Sequence, residues 1–70
     1  MAQATIREAV PHFTALTGRD VRLLRLVRDL TQEELAKRSG LSVPTISLIE
    51  AGKRPLRADR EIALVRALFP

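Results

Sequence analysis

Seventy residues, with twelve Lys and Arg against eight Asp and Glu, make one small basic domain of net charge +4, a balance that suits a polyanion partner as well as a solvated surface. The chain has no cysteine and a single histidine, His12, which excludes a disulfide staple and a zinc site of its own and leaves no cofactor or metal to expect. Arg or Glu breaks every apolar run well short of the roughly 20 residues that a membrane helix needs.

The opening residues, "MAQATIREAV", have no basic start followed by an apolar core, so no secretory signal is expected and the location is expected to be cytoplasmic. Ile6, Val10, Phe13 and Leu16 recur at helical spacing, but Pro11 stands among them. A proline inside a helix costs about 3 kcal/mol, so residues 1–17 read as a helical lead in two short pieces meeting near Val10, with Pro11 opening the second.

A first helix begins after Thr17, whose hydroxyl can cap free amides while Asp20 sits in the positive first turn. It runs to about Arg28, and Asp29 tolerates the left-handed backbone of a tight exit. Val21 and Leu24 lie with Arg25 on one side of it, whereas Leu23, Leu26 and Val27 lie nearly opposite. Both sides therefore need cover. The lead folding back and a second copy of the chain both remain open as that cover.

Thr31 followed by Glu34 is a capping box, which starts a second helix whose inward residues are Leu35 and Ala36. Gly40 ends it in the left-handed conformation. Ser42 caps a third helix, with Pro44 biasing Val43 away from helical angles and able to delay the start by one residue. Ile46 and Ile49 form its inner stripe, and Gly52 ends it. "KRPLRA" is a loop, and a last helix from about Asp59 to Phe69 carries Ile62, Val65, Leu68 and Phe69 on one side with Leu64 adjoining.

Two helices joined within about four residues at a glycine corner are the helix-turn-helix construction, whose second helix enters a DNA major groove. With Ile46 and Ile49 turned inward, Pro44 and Leu48 point outward and Thr45 and Ser47 flank them. The hydroxyls can bond base edges or phosphates, and Val43 or Leu48 can touch a thymine methyl. No glycine-rich phosphate loop and no isolated acid pair accompanies this corner, so no enzyme is expected.

The run "LTQEELAKRSGLSVPTISLIEAGKR", preceded by Leu24-Arg25, resembles the Cro/cI-type helix-turn-helix family, also called the xenobiotic-response-element family. Thr31-Gln32, Leu35-Ala36, Gly40, Ser42, Thr45-Ile46-Ser47, Ile49-Glu50 and Gly52 carry the likeness over roughly residues 18–56. The resemblance implies an all-α, compact four-to-five-helix, lambda-repressor-like domain over residues 18–70. It implies that Gln32 binds a backbone phosphate and braces the reading helix, that residues 42–48 are that helix and its cap, and that Arg25 and Glu50 form a structural ion pair. It also places Lys53, Arg54 and Arg57 along the phosphate backbone. Lys37 and Arg38 read instead as partners of the negative end of the second helix.

The chain departs from the family at Val43, Pro44 and Leu48, where members often carry Gln, Arg or Asn. Bidentate base contacts are then scarce, and methyl contacts, DNA shape and phosphate clamping become the expected sources of sequence choice. The expected partner is a palindromic double-stranded operator, bound by a homodimer that acts as a repressor, with the lead as a possible dimerisation element. The competing expectation is an antitoxin-like module that uses the same fold to hold a partner protein through Val43, Pro44 and Leu48.

Overall fold

The computed structural model describes residues 16–70, and the expected lead over residues 1–15 lies outside the described residues. Four helices follow in order: α1 (Gly18–Val27), α2 (Gln32–Ser39), α3 (Val43–Glu50) and α4 (Ala58–Leu68). Among the described residues there is no strand.

Three of the four starts are made by a hydroxyl. Thr17 Oγ1 accepts the Asp20 amide at 3.1 Å while the Asp20 carboxylate accepts the Thr17 amide at 3.0 Å. Thr31 and Glu34 repeat the same reciprocal box at the head of α2. Ser42 Oγ accepts the Thr45 amide at 3.2 Å. Each exchange supplies a partner for amides that the helix cannot satisfy internally. Pro44 does not delay α3, because it occupies the second helical position, where a missing N–H leaves no bond unmade.

The exits are local too. Asp29 turns the chain out of α1 at φ 56, and Gly40 ends α2 at φ 78 while its amide holds the Ala36 carbonyl at 2.9 Å. After α3 the chain doubles back, with the Lys53 and Arg54 amides donating to the Leu48 carbonyl at 2.9 and 3.2 Å.

Val21, Leu30, Leu35, Ile46, Ile49, Leu64, Ala67 and Leu68 are the buried apolar residues. Each fully buried Leu or Ile among them stabilises by roughly 1.5–3 kcal/mol. α2 packs on both α3 and α4, and α1 packs on both as well, so α3 is held from behind by α1 and α2. The expected apolar side of the last helix needs correction. Leu64, Ala67 and Leu68 face the core, while Ile62 and Phe69 are about half exposed. Period alone centred the stripe on the wrong flank because α4 carries apolar residues on two adjoining flanks.

Candidate nucleic-acid interface

Arg25 of α1 is buried, which demands a partner for its charge. Its Nε donates to Glu50 Oε2 at 2.8 Å and its Nη2 to Glu50 Oε1 at 2.9 Å, a two-pronged pair. Its Nη1 donates to the Leu30 carbonyl at 2.9 Å. Gln32 Nε2 adds a third bond to the Glu50 carboxylate, at 3.1 Å from Oε1. The hydrogen bonds that Arg25 donates to Glu50 raise its pKa above the ordinary value, and burial opposes them. One carboxylate at the end of α3 thus ties that helix to α1 and, through Gln32, to the first residue of α2.

The arrangement leaves the outer side of α3 clear of the body. Pro44 and Ser47 are exposed, followed by Ala51 just beyond the helix. Val43, Thr45 and Leu48 are half-buried. Leu48, expected to point outward, is half-buried, and its carbonyl accepts the amides of the returning loop. Thr45 is no free hydroxyl either. Its Oγ1 accepts from Ser42 Oγ at 2.8 Å and lies 3.4 Å from Arg54 Nη1. Arg54 consequently runs back from the loop across the flank of α3 to its first turn.

Lys53 and Arg57 are exposed, Arg57 standing immediately before α4, so the loop forms a basic bank on one side of α3. The opposite bank went unnoticed in the sequence. Arg22 of α1 lines a shallow depression of about 280 Å³ together with Gln32, Ser47, Glu50 and Ala51. Arg19 lines a neighbouring one of about 380 Å³ with Thr17, Gly18 and the end of α3. The signal was available, since Arg22 precedes Arg25 by three residues and so shares its flank of α1. The structure thus brings Gln32, Ser47, Arg22 and Arg19 together on the α1 side, and Thr45, Arg54 and Lys53 on the loop side.

Gly18 makes the close approach of α1 to α3 possible. A Cβ at that position would sit on the Ile49 carbonyl oxygen, far inside contact distance. Any larger residue would push the two backbones apart. No helix of the described residues is long and apolar enough to cross a membrane. Compared with known families, the helix-turn-helix family model matches residues 21–69. No curated protein and no solved structure matches the chain at a significant level.

Proposed function

Because the chain belongs to the Cro/cI-type helix-turn-helix family of DNA-binding transcriptional regulators, we propose that it acts in the cytoplasm as a repressor, a homodimer reading an inverted-repeat operator with residues 43–50 in the major groove. The observation that supports this most is the outer stripe of α3, Pro44–Ser47–Ala51, standing between two banks of cations. A stripe of small residues lets the helix sit deep, and flanking cations take the phosphates on either side of the groove.

In this reading Ser47 meets base edges directly, and Pro44 and Val43 supply apolar contact. Thr45 acts on DNA chiefly by holding Arg54, whose long side chain compensates for the missing Gln or Arg within the helix. Ser42 and Leu48 support that surface from its two ends, while Gln32, Lys53, Arg54 and Arg57 serve the phosphates. Sequence choice then combines few direct contacts with DNA shape. A single module of this size covers too little duplex for strong discrimination, so two copies with half-sites about 34 Å apart are invoked.

Selection of bound fragments from random duplex DNA tests the proposal. The expected outcome is one enriched inverted repeat, with Ser47→Ala relaxing one position of each half-site and Lys53→Ala weakening all duplexes alike. Failure to enrich any sequence would overturn it. The rival protein-binding reading needs Val43, Pro44 and Leu48 as an open apolar patch, and of the three only Pro44 is exposed.

A further inference from the structure

Two donors converge on one hydroxyl in the first turn of α3. Ser42 Oγ donates to Thr45 Oγ1 at 2.8 Å, and Arg54 Nη1 donates to the same oxygen at 3.4 Å. Ser42 Oγ is itself fixed by the Thr45 amide, which donates to it at 3.2 Å. A hydroxyl oxygen has two lone pairs and one hydrogen. On Thr45 both lone pairs are taken, so the group has no capacity left to accept. Its hydrogen has no acceptor among the described residues.

Arg54 is a donor only, and most of its N–H groups remain free beyond the bond to Thr45. Among the described residues the one ion pair is that of Arg25 with Glu50, so the Arg54 charge has no carboxylate partner. The corner therefore offers two donors side by side, held 3.4 Å apart, with no acceptor between them. A hydroxyl that accepts from a cation is polarised by it and donates more strongly in turn.

Resting on the reading of α3 as the helix in the major groove, we propose that Thr45 and Arg54 together read a guanine, sharing its O6 and N7, at one position of each half-site. In the major groove guanine is the base whose edge presents two acceptors and no donor. Adenine sets an amino donor beside its N7, cytosine offers an amino donor, and thymine has one acceptor next to a methyl. A two-donor site facing adenine or cytosine leaves donor against donor. The location favours a base over a phosphate, because the amino-terminal residues of a reading helix are the ones that contact base edges. Arg54 has enough further N–H groups to hold a phosphate at the same time. Ser47 stands on the α1 side of the helix and Thr45 on the loop side, so the two read different positions.

Competition binding tests this with the full chain and its selected operator, each base pair of the half-site varied in turn. The wild type should prefer one guanine of the half-site about tenfold over adenine, and 7-deazaguanine, which lacks N7, should weaken binding there. Thr45→Val keeps the shape without the hydroxyl. It should remove most of that preference and make the 7-deaza change nearly neutral, while the slope of log K against log salt stays that of the wild type. Thr45→Ser should keep the preference, and Ser47→Ala should leave it untouched. Arg54→Ala should lose it as well, and the two changes at Thr45 and Arg54 should together cost less than their sum. An operator whose guanines are all indifferent to Thr45→Val overturns the inference and leaves the repressor reading standing. So does a preference for an amino-bearing base at the position that Thr45→Val relaxes. Uniform weakening of every duplex by both changes would make the pair a phosphate clamp and also defeats it. A selection that enriches no sequence removes the repressor reading and this inference together.

Discussion

Glu50 accepts hydrogen bonds from three nitrogens on two other helices, and its side chain is only 4% exposed against 11% for Arg25. A buried pair of this kind matters most when half of it is removed. Glu50→Ala leaves a buried guanidinium facing a void and is expected to cost about 3–5 kcal/mol in urea unfolding, whereas replacing both partners by leucine should cost much less. If the single and double variants lose equal stability, the charge is not what the site needs. At Gly18 the argument is steric. Gly18→Ala forces α1 away from the Ile49 carbonyl and should cost about 1–3 kcal/mol, read as a lowered Tm, although alanine is the better helix former.

Helix α2 shows how a short element survives in water. Eight residues are too few to hold a helix alone, so capping and packing must supply the rest. Its amino end has Glu33 and Glu34 and its carboxyl end Lys37 and Arg38, each set complementing the local end of the dipole. Bonds from the Thr31 backbone and hydroxyl hold the Glu34 carboxyl below its ordinary pKa of 4.5. The folded state therefore binds its proton less readily than the unfolded state does. The resulting stabilisation is complete above the unfolded value and is lost as the pH falls below it. Thermal unfolding followed from about pH 6 to about pH 3 should show a decline that Glu34→Gln makes shallower. An unchanged decline in the variant would assign the acid sensitivity to other carboxylates.

For the molecule as a whole, the distribution of charge counts for more than its net value. Arg19 and Arg22 stand on the α1 side of α3, and Lys53, Arg54 and Arg57 on the loop side. If every one of them neutralises a phosphate, the slope of log K against log salt reaches about −4.5 per domain, and each lost contact removes about 0.9. Arg22→Ala should thus flatten the slope as much as Lys53→Ala does, while Arg66→Ala, in the last turn of α4, should leave it unchanged. Titration of duplex binding with potassium chloride reads this directly. Equal flattening by all three would mean a diffuse positive field rather than two banks.

Much of this is legible in the amino-acid sequence. Thr17 with Asp20, Thr31 with Glu34, Asp29, Gly40 and Ser42 act on backbone groups within a few residues, so their signals lie in the local order of the chain. The family pattern extended that reading to the roles expected of Arg25, Glu50 and the reading helix. Other features depended on how distant segments meet. After α3 the chain returns to bond the Leu48 carbonyl, and Arg54 reaches Thr45 by the same return. Arg22 joins the site only because α1 lies beside α3.

The helices of this chain, their ends and their order follow from hydrogen bonds and side-chain periods that act over three or four residues, and the amino-acid order alone determines those. Which flank of α4 meets the core and which residues of α3 stay open were decided by tertiary packing. An amphipathic period gives the direction of a face relative to its own helix axis. It carries nothing about the position of the neighbouring helix, and burial is set by that neighbour.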